Sequence, residues 1–188
     1  MAVNPLDKQI PVVMTIAGSD SGGGAGIQAD LKTFAAHGVH GTSAVTAITA
    51  QNTLGVTAVQ EIDLDVIAAQ IDAVVEDMHP VAVKTGMLSS PEIVRLVAAK
   101  ATEHDWQTLV VDPVMVASSG AKLLRDEAVE TYRSELLPLA TVATPNLPEA
   151  ADLTGIEVGS TEDAREAAKA IHGLGVKYVI VKGGHMET

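Results

Sequence analysis

Several short stretches of this sequence set polar side chains where they could do chemistry. Asp112 closes the apolar run "TLVVDPV" just before Pro113. A carboxylate there is costly to bury unless it is paired or bound to a metal. Lys182 ends the run "VIVK" and is followed by Gly183 and Gly184, a cation beside glycines that suits a phosphate. Gln51 and Asn52 follow another apolar run. A glutamine offers a donor and an acceptor together, which matches the edge of a heteroaromatic ring, although a solvated loop amide reads the same. Asn146 and Glu149 are spaced as Asn-x-x-Glu, which fits either a helix cap or a site. The densest feature is "AGSDSGGGAGIQADLKT", Ala17 to Thr33, with Gly18, Gly22, Gly23, Gly24 and Gly26.

That glycine run matches neither familiar phosphate cradle. For the dinucleotide fingerprint, Gly22 and Gly24 fit but Ile27 stands where the last glycine belongs; for the nucleotide P-loop starting at Gly18, Gly24 replaces the required lysine. What remains is a flexible backbone before a helix, with free N–H groups expected to aim outward. Asp30, a little further on, reads equally as an acid favoured by the helix dipole. The six histidines contain no i,i+4 pair, which counts against zinc. No carboxylate pair suggests glycoside hydrolysis, and no G-x-S-x-G elbow is present.

The elements that must position these residues alternate. Strands are expected over 11–17, 42–50, 56–62, 81–86, 108–114, 141–146 and 177–184. Helices are expected over 26–37, 64–78, 89–104, 126–140, 147–155 and 160–175, several opened by Ser, Thr or Asn caps. Such alternation implies crossover units and a mostly parallel sheet, in one domain over residues 1–188. Ligands of open α/β sheets sit beyond the carboxyl ends of the strands, and nearly every unusual motif here falls at such an end.

Composition narrows the classes. The chain has 188 residues, of which 47% are apolar and only four aromatic, so its core is Val, Ile, Leu and Ala. With so few aromatic rings there is little for single-stranded bases to stack on. A net charge of −12 is the opposite of what duplex binding needs. It reads as a solvated acidic surface or as adaptation to a salty cytoplasm. There is no cysteine, hence no disulfide and no thiolate site. No apolar stretch reaches about 18 residues, so neither nucleic acid nor membrane is an expected partner, and the expected location is cytoplasmic.

Taken together, "TIAGSDSGGGAGIQADLKTFAAHGVHGTSAVTAITAQNT", "KTGML", "VVDPVMVASSG", "TPNLPEA" and "VIVKGGH" resemble the hydroxymethylpyrimidine and phosphomethylpyrimidine kinases of thiamine biosynthesis, within the ribokinase-like superfamily. Gly23 occupies a slot that is often Ser in that family. The resemblance implies a three-layer sandwich, helices around a mostly parallel central sheet. It implies phosphoryl transfer from ATP, with Mg2+, to a hydroxymethylpyrimidine and then to its monophosphate, in a homo-oligomer such as a dimer. It gives the glycine run to the pyrimidine rather than to the nucleotide. Gly18, Ala25, Asp30 and Gln51 would form the pyrimidine pocket, with Met87 and Val114 against the ring. Asn146, Glu149, Lys182 and Gly184 would serve the nucleotide phosphates, with Asp112 and Glu149 toward magnesium. In the family a glycine-rich anion hole with the catalytic Asp or Cys follows the last strand. That residue is therefore expected beyond Thr188, with Lys182 and Asp112 supporting it, the C-terminal part of the fold missing, and the 188 residues inactive alone. A pyridoxal-type kinase and a non-catalytic pyrimidine-binding module are the competing readings; the glycine run together with Gln51 speaks against the first.

Overall fold

The computed structural model describes residues 10–115 and 127–183. The first strand, β1 (Val12–Ala17), leads into helix α1 (Gly26–Ala36) and strand β2 (His40–Val45). A hairpin of β3 (Ala47–Gln51) and β4 (Val56–Glu61) follows, then α2 (Leu64–Met78), β5 (Ala82–Thr85), α3 (Pro91–Glu103) and β6 (Leu109–Val111). After the short α4 (Glu127–Thr131) come β7 (Val142–Ala143), α5 (Leu147–Thr154), α6 (Thr161–His172) and β8 (Tyr178–Val179).

Six strands form one sheet in the order β2-β1-β5-β6-β7-β8, every pair parallel. From β1 the chain steps to one side for β2, then returns to the other side for β5. Right-handed crossovers then place α1 and α2 on opposite faces. The helices flank the sheet as expected, with α1 against β1 and β2, and α2 against β2 and α3. Met14, Thr15, Ile16 and Ala17 of β1 are fully buried, as a strand covered on both faces should be. The core continues through Ile67 and Ile71 of α2, Ile93, Val94 and Val97 of α3, and Leu153 and Ile171 of the last helices. The salt bridge from Lys100 Nζ to Asp72, 2.7 Å, ties α3 to α2. Among the described residues no helix is long and apolar enough to cross a membrane.

Three expectations fail locally. The strand expected over 42–50 is two strands in two sheets. The chain turns at Thr46, whose hydroxyl donates to Met87 O at 2.8 Å, and β3 then pairs antiparallel with β4. The helix expected over 126–140 changes winding: after α4 it is a π turn at Tyr132–Leu136 and a 3-10 turn at Leu137–Leu139, where Pro138 cannot supply an N–H. The strands expected over 141–146 and 177–184 pair only at two residues each, and Lys182 makes an isolated bridge to Asn146 beyond them. Helix α1 buries none of its apolar residues completely. It rests on β2 through Gly41, where an added Cβ would come within 2.9 Å of both Leu31 and Phe34.

Candidate functional site

Reversal of the strand order between β1 and β5 opens a crevice at their carboxyl ends, where open α/β sheets bind ligands. A cleft of about 320 Å3 lies there. Gly18, Ala25, Asp30, Gln51, Met87 and Val114, the residues assigned to the pyrimidine, all line it. So do Asp112, Asn146, Glu149 and Lys182. Gly184 lies outside the described residues.

The middle of the glycine run does not aim its amides outward, contrary to the expectation. The N–H groups of Gly22, Gly24 and Ala25 turn inward onto the Asp20 carboxylate. Gly22 donates to Oδ1 at 2.8 Å, and Gly24 and Ala25 donate to Oδ2 at 2.9 and 2.8 Å. Burial lifts the Asp20 carboxyl, but these backbone donors outweigh it and hold the group below the usual carboxylate range. The loop is further stitched to β3. Ser19 N donates to Ala47 O at 2.8 Å, and the Ser21 hydroxyl takes Gln51 N at 2.8 Å while donating to Gln51 O at 2.7 Å. Gly26 closes the turn at φ +56°, where an added Cβ would lie 2.4 Å from Gly18 O. The glycines therefore build a rigid wall whose anion is internal.

Gln51 comes from the inner face of β3, in line with the buried Ala47 and Thr49. Its Oε1 accepts a long bond from Thr49 Oγ1, 3.3 Å. Its Nε2 has no partner among the described residues.

Opposite the glycine wall runs a row of alternating charge that crosses the strand ends. Asp30, on α1, accepts from Thr15 Oγ1 at 2.6 Å and from Lys84 Nζ at 3.0 Å. It is held by these partners, beyond the first turn of its helix, and so is not an acid serving the helix dipole. Lys84 Nζ lies 3.9 Å from Asp112 Oδ2. Asp112 Oδ1 receives Lys182 Nζ at 2.7 Å and the Thr144 hydroxyl at 3.1 Å. Lys182 Nζ is in turn 3.9 Å from Glu149 Oε2. Asp112 is thus paired on both sides, as its place at the end of an apolar strand requires. Asn146 and Glu149 do form the reciprocal cap of α5, each side chain accepting from the other's backbone N–H at 2.8 Å. Glu149 is also 4% exposed and faces the cleft. Burial raises its carboxyl above the usual range, although the Asn146 N–H and Lys182 pull the other way.

Lys84 and Asp20 are the residues that sequence reasoning missed. A lysine inside "VAVKTG", otherwise apolar, was the available signal for the first. For Asp20 the signal was an acid followed by glycine N–H groups that need an acceptor.

Residues 20–188 match the phosphomethylpyrimidine kinase family. The chain belongs to that family. It is 52% identical over 172 residues to the hydroxymethylpyrimidine/phosphomethylpyrimidine kinase of Bacillus subtilis, covering 92% of this chain and 64% of that protein. The crystal structure of phosphomethylpyrimidine kinase from Clostridium difficile superposes with a TM-score of 0.88 at 49% identity, over 96% of this chain and 78% of the other. The ADP complex of Bacillus subtilis pyridoxal kinase superposes with a TM-score of 0.87 at 43% identity, over 96% and 69%. The chain spans slightly under two thirds of the length of the first two curated relatives, 64% of each. The architecture is accordingly that of the ribokinase-like vitamin kinases, and ATP is the phosphate donor that a kinase family implies.

Proposed function

We propose that this chain binds 4-amino-5-hydroxymethyl-2-methylpyrimidine and serves its phosphorylation by ATP, first on the hydroxymethyl oxygen and then on the resulting monophosphate. The observation that carries this reading is the single cleft that joins Gln51 and the glycine wall to the charged row ending at Lys182. Gln51 would meet the aminopyrimidine edge with its amide. Met87 and Val114 would close on the ring faces, supplying the apolar contacts of a cleft otherwise lined by polar and charged side chains. Lys182 would exchange its contact with Asp112 for a nucleotide phosphate.

The donor set suits magnesium, which prefers carboxylate oxygens and substrate phosphates. Asp112 and Glu149, the acids at the Lys182 end of the row, would hold the ion. A bound magnesium neutralises charge on the moving phosphoryl group. Residues 1–188 supply the positioning of the acceptor and part of the charge compensation.

The pyridoxal-type reading rests on structural neighbours alone. Calorimetric titration with the hydroxymethylpyrimidine and with pyridoxal decides between them. The pyrimidine should bind at least roughly tenfold tighter, about 1.4 kcal/mol. Equal or reversed affinities would overturn the proposal.

A further inference from the structure

The relatives' names pair a hydroxymethylpyrimidine with its phosphorylated form. On the function proposed above, one cleft must accept both a neutral acceptor and a dianionic one. The cleft is ill suited to the second at first sight: its lining holds four acids, Asp20, Asp30, Asp112 and Glu149, against two lysines. The Asp20 charge is absorbed by the loop amides. The others are balanced by Lys84 and Lys182 alone among the lining residues.

The two lysines are not equivalent. Lys182 stands between Asp112 and Glu149 at the far end of the row, and its side chain is 43% exposed. Lys84 rises from β5, a central strand of the sheet, at the seam between the glycine wall and Asp112, and is 25% exposed. Its ammonium folds back over Gly86, on the same face of the strand; a Cβ on Gly86 would lie 3.3 Å from Nζ and 2.9 Å from Ala17 Cβ. Room for the ammonium is thus kept by a missing side chain. A charge this far out of water acts more strongly than an exposed one. The neutral acceptor brings no charge for the ammonium to meet, and the Thr15 hydroxyl keeps a donor on Asp30 when the ammonium turns away.

We infer that Lys84 sets the cleft's tolerance for the charged acceptor: its ammonium turns from Asp30 and Asp112 toward the phosphate of the bound monophosphate. The phosphate on the acceptor's arm would lie between the ring subsite, bounded by Asp30, and Lys182, and Lys84 is the cation in that interval.

The test is calorimetric titration with both acceptors. Lys84→Gln removes the charge but keeps a donor for Asp30; Lys84→Arg keeps the charge. Lys84→Gln should raise the Kd of the monophosphate at least about tenfold and leave that of the unphosphorylated acceptor within about threefold. Lys84→Arg should restore the wild-type ratio to within about threefold. If Lys84→Gln weakens both acceptors equally, Lys84 is only a structural partner of Asp30 and the inference fails. Should the glutamine variant not fold, Lys84→Met tests it in the same titration: the ratio of the monophosphate Kd to that of the unphosphorylated acceptor must rise at least about tenfold, and an unchanged ratio overturns the inference. Wild-type protein that binds neither acceptor would instead refute the function on which this inference rests.

Discussion

Replacing Asp20 with asparagine tests whether the glycine wall is built around an internal anion. Two of its three backbone bonds fall on Oδ2 and one on Oδ1. Asparagine has one acceptor oxygen. If that oxygen takes the Oδ2 place, the bonds from Gly24 and Ala25 survive as neutral ones, and the side-chain NH2 confronts the N–H of Gly22. Bonds to a charged group contribute about 1.5–3 kcal/mol each and neutral ones about 0.5–1.5. Gly22, Gly24 and Ala25 are exposed at the loop surface, so water can replace part of the loss. The low end applies, about 2 kcal/mol in all. For a chain of this size that lowers Tm by roughly 4–8 °C.

The sign with pH follows from the depressed Asp20 carboxyl. A lowered folded-state value contributes stability above the ordinary value of 3.8, lost as pH falls through the lower folded value. The gap between wild type and Asp20→Asn should therefore be full near neutrality and close in strong acid. Thermal unfolding followed by circular dichroism across that range reads it. A Tm change under about 1 °C near neutrality, or a gap that widens in acid, would refute the internal-anion account.

Other perturbations probe the rest of the cleft. Gln51→Leu leaves ligand polar groups unpaired at about 1–3 kcal/mol each, so pyrimidine affinity should fall at least roughly tenfold by calorimetry. Glu149→Gln removes a buried carboxyl that burial has raised: such a group contributes its stability below its ordinary 4.5 and loses it as pH rises through the folded value. The variant should thus match or exceed wild-type Tm near neutrality, lose that advantage in acid, and bind nucleotide more weakly. Gly26→Ala should cost several kcal/mol, because a φ of +56° and a Cβ 2.4 Å from Gly18 O leave it no place; a Tm close to wild type would contradict the wall geometry. With a net charge of −12, Tm should rise from dilute buffer to molar KCl, where the screening length shortens to about 3 Å; a flat curve would leave only a solvated acidic face.

Much of the frame was legible because local and global signals agreed. Ser90 with Pro91, Asn146 with Glu149 and Ser160 with Asp163 each announce a helix start, and each caps one. The clustering of motifs at strand ends pointed to the cleft because a parallel sheet has one carboxyl edge. The break at Thr46 was not legible. "TSAVTAITA" is uniformly β-rich, and what divides it is a long-range bond from Thr46 to Met87, forty-one residues away. The winding change after Thr131 had a local sign in Pro138, but a proline marks where a helix is disturbed and not how far back the disturbance runs.

The charged row shows why site residues of one type escape a sequence reading while others do not. Asp112 stood out because an acid at the end of "TLVV" has no reason to be there unless something meets it. Lys84 obeys the same logic inside "VAVKTG", yet a lysine has a long stem that can carry its charge to water, so burial of the residue does not imply burial of the charge. The structure removes that escape: the ammonium is drawn back across Gly86 to Asp30, and the whole side chain is only 25% exposed. A lysine in a central parallel strand, two residues before a glycine, therefore carries information that neither residue carries alone. The glycine gives the space into which the ammonium folds, and the neighbouring strand end gives the acid that holds it there.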